Sequence, residues 1–172
     1  MDFFDVIEGR HSVRAYTDGP IPADKLQRIL EAINRAPSAG NRQAYEVYLV
    51  RAASQRSELV RAGNDQEFLA QAPVVLVFCT HAGLDVDRYG RRGAELYCVQ
   101  DATIGCTFAM LAASALGLSS VWVGAFDEDA VREVICAPQD QRPVAMLPIG
   151  YAAETLRIRS RRELTDLVHE VD

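Results

Sequence analysis

Apolar and polar positions along this chain follow two rhythms and switch between them several times. Phe3, Val6 and Ile7 suit a short helix from Asp2 that Gly9 ends. Arg10 to Tyr16 reads as extended or irregular, and Thr17-Asp18-Gly19-Pro20 is a turn cluster. Pro22 opens an amphipathic helix in which Leu26, Ile29, Leu30 and Ile33 recur at i, i+3, i+4 and i+7 and share one face; Pro37 stops it. Further helices are predicted over Gln55–Ala62, Gln66–Gln71 and Arg92–Leu116, and from an Asp127 cap to Ile135. Strands are predicted over Tyr45–Val50, Val74–Cys79, Ser119–Val123 and Pro143–Ile149; the unbroken apolar run of the second marks it as central. His81–Tyr89 reads as a loop. Ala102, Gly105, Ala109, Ala112 and Ala113 would let the long helix pack closely on its neighbours before Gly117 ends it, and its polar interruptions argue against a membrane span.

These elements predict an α+β domain with a central mixed or antiparallel sheet of about four strands, flanked by helices, one of them long and central. Strand order is open. A length of 172 residues suits one domain over 1–172, with a charged tail from Glu154.

Composition narrows the chemistry. Hydrophobic residues at 49% and charged residues at 24% exclude disorder and low-complexity arrays. A net charge of -6 argues against general nucleic-acid binding, which needs surplus cations. Lys25 is the only lysine, and the helical pattern places it on an exposed face, a poor setting for a Schiff base; Leu26 after it excludes a Walker A loop. Cys79, Cys98, Cys106 and Cys136 lie in or beside apolar segments and read as buried, reduced thiols. Neither they nor the scattered His11, His81 and His169 have metal-ligand spacing, so no metal site is expected. With no leader or spanning segment in view, a cytoplasmic protein is expected, with no membrane or nucleic-acid partner.

Four places carry candidate chemistry. In an extended backbone Arg10, Ser12 and Arg14 point to one side, a grip suited to phosphate. Asn41 and Gln43, in the loop Ala36-Pro37-Ser38-Ala39-Gly40-Asn41-Arg42-Gln43, each carry a donor and an acceptor suited to a heterocycle edge. Gly124 and Ala125 end a strand and allow close backbone approach to a flat ligand. Arg157, Arg159, Arg161 and Arg162 concentrate positive charge in an acidic chain. Each also has an ordinary structural explanation: a solvated charged turn, a turn rich in turn formers, a small-residue strand end, a solvated charge run.

Taken in order, the pieces resemble the FMN-dependent nitroreductase family. The resemblance runs from Arg10-His11-Ser12-Val13-Arg14 through the Pro37–Gln43 loop, Ala72-Pro73-Val74-Val75, Glu95-Leu96-Tyr97 to Gln100-Asp101, Leu116-Gly117-Leu118 and Trp122-Val123-Gly124, to Pro148-Ile149-Gly150-Tyr151-Ala152-Ala153-Glu154 and the arginine tail. It implies a nitroreductase-like fold and an intertwined homodimer with FMN at the interface, the tail from about 154 to 172 reaching across the dimer. It places Arg10, His11, Ser12 and Arg14 near the FMN phosphate, ribityl chain and ring edge, and Arg159 and Arg161 at the phosphate. Pro37, Ser38, Asn41 and Gln43 would come from the other subunit; Gly124 and Ala125 would approach the ring, with Gln66 a further polar contact. It also implies hydride transfer from NADH or NADPH to flavin N5, with no catalytic side chain, then ping-pong delivery to a nitroaromatic, quinone or similar small acceptor. Specialised flavin-fragmenting, dehalogenating or dehydrogenating reactions, or a non-catalytic FMN-binding module, are the alternatives. Ala44-Tyr45 departs from the family's Pro-Trp.

Overall fold

Every residue of the strand Val74–Thr80 (β2) is buried, because helices cover both faces of the sheet it runs through. Its side chains alternate: Val75, Val77 and Cys79 enter one core, Val74, Leu76 and Phe78 the other. The structure, a computed structural model, describes residues 2–155 and 159–171. Arg157 and Ile158 of the basic run lie outside them.

The sheet comprises β1 (Tyr45–Val50), β2, β3 (Ser119–Ser120) and β4 (Pro143–Gly150), in the order β1-β2-β4-β3. All three pairings are antiparallel, which resolves the predicted mixed or antiparallel sheet. Tyr45 pairs with Thr80 and Val74 with Ile149, and a bulge falls between Phe78 and Cys79.

α1 (Phe3–Gly9) starts with a capping box: Asp2 accepts the N–H groups of Phe4 and Asp5, and the Asp5 carboxylate accepts that of Asp2. α2 (Ala23–Ile33) buries Leu26, Ile29 and Ile33 beside α6 (Cys98–Ala115) on one sheet face. α3 (Ala53–Ala62), α4 (Phe68–Gln71) and α7 (Glu128–Val134) cover the other. Asp127 caps α7 by accepting the Ala130 N–H at 3.0 Å. Truncating Ile29, which is fully buried, would cost about 2–5 kcal/mol. By length and composition Gly83–Ala115 could cross a membrane, yet α6 is packed into the core: Ala102, Cys106, Ala109 and Ala113 are buried, and a Cβ on Gly105 would lie 3.2 Å from the Tyr45 ring.

Several expectations need correction. The segment read as a loop over His81–Tyr89 is largely helical: α5 (Gly83–Arg92) leads through a π-helical turn at Gly93–Tyr97 into α6. It has no buried apolar stripe to give it away; instead Tyr89 packs edge-on to Tyr97, and Arg42 donates to the Leu84 carbonyl. The third strand pairs with β4 at Ser119 and Ser120, with a single further bridge at Val123, and Ser120 also bridges the N-terminal segment. Cys136 is exposed, in a left-handed conformation after α7, whereas Cys79, Cys98 and Cys106 are buried. Lys25 is half-buried: its Nζ donates to the Leu116 carbonyl at 2.7 Å, at the negative end of α6. A last short helix, α8 (Leu164–Leu167), lies in the exposed tail.

Candidate functional site

The N-terminal segment joins the sheet's edge. Ser12 bridges Ser120 in parallel, and the Val13 N–H donates to the Ser120 carbonyl at 3.2 Å. Farther on, Thr17 donates to Tyr151 at 2.9 Å and Ala153 donates to Ala15 at 2.8 Å. Val13 and Tyr16 turn inward, and the Tyr16 hydroxyl donates to the Val13 carbonyl at 2.8 Å. Burial, then the nearby Glu154 charge, pushes the Tyr16 pKa well up, with Arg14 opposing. Tyr16 is thus a neutral anchor. Ser12 and Arg14, on either side of buried Val13, are exposed, with Arg10 half-buried; the alternation ends before Tyr16.

This pairing carries the chain's two ends to one place. A cleft of about 630 Å³ is lined by Arg10, His11, Ser12 and Arg14 together with Arg159 and Arg161. Glu8 and Glu154 also line it, so four arginines face two carboxylates in a chain of net charge -6. The Arg14 backbone N–H donates to Glu154, which ties the two halves together. Guanidiniums converging with a hydroxyl suit a phosphate-bearing ligand.

The remaining candidates do not line this cleft. Gln66 reaches Ala125: its Nε2 donates to the Ala125 carbonyl at 3.0 Å and to the Gly63 carbonyl at 2.6 Å. It therefore braces the Gly124–Ala125 turn, both of whose residues are exposed.

Pro37, Ser38, Asn41 and Gln43 form a separate projection between α2 and β1. Ala39–Asn41 makes one 3₁₀ turn, and φ is positive at Gly40 (54°), Asn41 (58°) and Gln43 (52°). A Cβ on Gly40 would collide with the Tyr89 hydroxyl. Ser38 Oγ accepts the Gln43 N–H at 2.9 Å, leaving the Asn41 and Gln43 side chains exposed. Beneath the loop lies Asp101, buried on α6, whose carboxylate accepts the Ala39 N–H at 2.9 Å and the Ala44 N–H at 3.4 Å.

Glu8, Glu154 and Asp101 are residues that site reasoning from the sequence passed over. Asp101 carried a signal, a lone acid in an apolar helical run; Glu154 carried none beyond its neighbours. Nearby, Asp85 is fully buried and neither carboxylate oxygen has a partner among the described residues. Burial, then the Asp101 charge, raises its pKa, while Arg42 pulls it down. A second hollow, of about 410 Å³ between α3 and α7, sets Glu58, Asp127 and Glu133 against the single Arg61, a mainly acidic lining unsuited to phosphate.

The chain is similar to known proteins over most of its length. A model of the Nitroreductase family matches residues 7–62 and 52–151. The chain is 31% identical over 156 residues to the FMN reductase [NAD(P)H] of Bacillus subtilis, covering 83% of this chain and 63% of that one. It is 29% identical over 172 residues to the NADH dehydrogenase of Thermus thermophilus, covering 84% of each. In three dimensions it superposes on the crystal structure of a nitroreductase family protein from Streptococcus pneumoniae with a TM-score of 0.90 and 21% identity, covering 99% of this chain and 100% of that one.

Proposed function

Because this chain belongs to the nitroreductase family, we propose that it is an FMN-dependent NAD(P)H oxidoreductase that reduces a nitroaromatic, quinone or similar small acceptor in the cytoplasm by a ping-pong mechanism. The observation that carries this reading is the convergence of Arg10 and Arg14 with Arg159 and Arg161 in one cleft. The donor set fits the cofactor: FMN ends in a phosphate of nearly two negative charges, and guanidinium forks with the Ser12 hydroxyl match its oxygens. The cleft volume also lies in the range of about 300–1,000 Å³ usual for small-molecule sites. The matched relatives from Bacillus subtilis and Thermus thermophilus bear the names FMN reductase and NADH dehydrogenase, which support the same donor and cofactor classes.

FMN, when bound, supplies the two-electron chemistry between nicotinamide and acceptor. The chain binds and orients it. Arg10, Arg14, Arg159 and Arg161 neutralise the phosphate, and His11 and Ser12 hold the adjoining chain. Gly124 and Ala125, braced by Gln66, leave room for a flat ring. Pro37, Ser38, Asn41 and Gln43 reach a ring held by a second copy, with Asn41 and Gln43 offering amide donors and acceptors to its edge.

Two features support a homodimer with FMN at the interface. The loop residues are not among those lining the cleft of their own chain. Phe3, Phe4 and Ile7 on α1 and Leu164, Leu167, Val168 and Val171 in the tail are all exposed, an apolar surface that a second copy would cover. The tail reaching across the dimer would bury its share.

The kinetic test is initial-rate measurement with reduced nicotinamide and a quinone. Double-reciprocal lines at several acceptor concentrations should be parallel; lines that intersect would rule out the ping-pong scheme.

A further inference from the structure

The Ser38 hydroxyl within the loop and one buried acid beneath it hold the segment between α2 and β1 in an uncommon conformation. Left-handed φ is readily adopted by Gly40 and tolerated by Asn41, but it is unfavourable for Gln43. Such a backbone persists only when its surroundings hold it. Asp101 supplies that hold: one carboxylate oxygen takes the Ala39 N–H at 2.9 Å and the other the Ala44 N–H at 3.4 Å, so a single side chain spans both ends of the loop. Asp101 is 2% exposed on a helix whose other buried residues are apolar or small, so packing alone gives no reason for an acid there. What the hold achieves is outward presentation: Asn41 and Gln43 are exposed at the tip of a backbone fixed from beneath.

We infer that Asp101 is a positioning residue that acts through the loop, fixing Asn41 and Gln43 in the geometry that meets the flavin ring. This rests on the reading above, in which the loop contacts FMN. The residue itself touches neither cofactor nor substrate.

The test replaces Asp101 by Asn, which preserves shape and one acceptor oxygen but sets an NH₂ donor against one of the two N–H groups. FMN should bind about tenfold more weakly, the loss expected for a charge-assisted hydrogen bond. The visible absorption band of bound FMN should shift, and the Ala39 and Ala44 amides should exchange with solvent faster. Combined with Asn41→Ala, the losses should be non-additive, because both act on one contact. FMN affinity within about twofold of wild type, or additive losses, would overturn the inference while leaving the oxidoreductase reading intact. Wild-type protein that binds no FMN would overturn both. Should Asp101→Asn fail to fold, the wild-type Ala39 amide decides: it should exchange more than about tenfold slower than an unstructured amide, and exchange at the unstructured rate would overturn the inference.

Discussion

The backbone N–H of Arg14 donates to the carboxylate of Glu154, and that bond joins the two ends of the chain across the cleft. Glu154 therefore has two opposing effects. It fixes the strand that carries Arg10, Ser12 and Arg14, and it places a negative charge where a phosphate is to bind. The two effects can be separated. Glu154→Gln keeps an acceptor and removes the charge, so FMN affinity should hold or rise. Glu154→Ala removes the acceptor as well and should bind FMN more weakly than Glu154→Gln. Flavin fluorescence titration of both variants gives the order directly, and the reverse order would show that the clamp is immaterial.

Arg159 and Arg161 are exposed and make no ion pair among the described residues, so their charge is available to a ligand. Replacing both by Ala should weaken FMN binding by about 100-fold or more, at about 1.5–3 kcal/mol for each charged hydrogen bond. The rise in melting temperature on adding FMN should shrink with it. An unchanged titration would show the tail to be a solvated charge run.

Asp85 makes stability fall with rising pH. Its pKa is raised in the fold, so the folded chain holds the proton more tightly than the unfolded one. Its favourable contribution is complete below the unfolded value near 3.8 and is lost as pH climbs through the folded value. Asp85→Asn abolishes this titration. Urea unfolding should show the variant more stable than wild type by about 1–3 kcal/mol near pH 8, the scale of an unsatisfied buried polar group, with the difference closing toward pH 4. A gap that widens as pH falls would contradict the assignment.

Thiol reactivity should follow burial. Cys136 is exposed and should be alkylated rapidly in the native protein. Burial pushes the Cys79 pKa up to about 12 and raises those of Cys98 and Cys106, so these thiols should react only on unfolding. Mass spectrometry after brief alkylation should find one modified cysteine; modification of Cys79 or Cys106 in folded protein would contradict the packing.

Periodicity exposed the parts of the fold that bury apolar faces. Leu26, Ile29 and Ile33 announced α2, and the run from Val74 announced a strand covered on both sides. It missed α5, whose one buried side chain is the acid Asp85, because hydrophobic patterning is blind to a helix held by an aromatic contact and a guanidinium. It overextended the third strand because Val121 and Val123 keep the alternation of a strand even where the ladder has broken. The phosphate-type grip was legible in the alternation of Arg10, Ser12 and Arg14. Its meeting with Arg159 and Arg161 was implied by the family resemblance alone, since local patterning cannot show the long-range pairing of Tyr16 with Ala152. The loop's candidates were legible as chemistry, but the acid that holds them lies more than a strand and a helix away in sequence.

An oxidoreductase of this kind must carry FMN and reduce it with nicotinamide. The direct measurement is anaerobic mixing of the FMN-loaded protein with NADH and, separately, NADPH, followed by flavin absorbance. The yellow absorbance should bleach with at least one donor and return when a quinone or nitroaromatic is added. A protein that takes up no FMN, or whose bound flavin stays oxidised with both donors, would contradict the oxidoreductase reading.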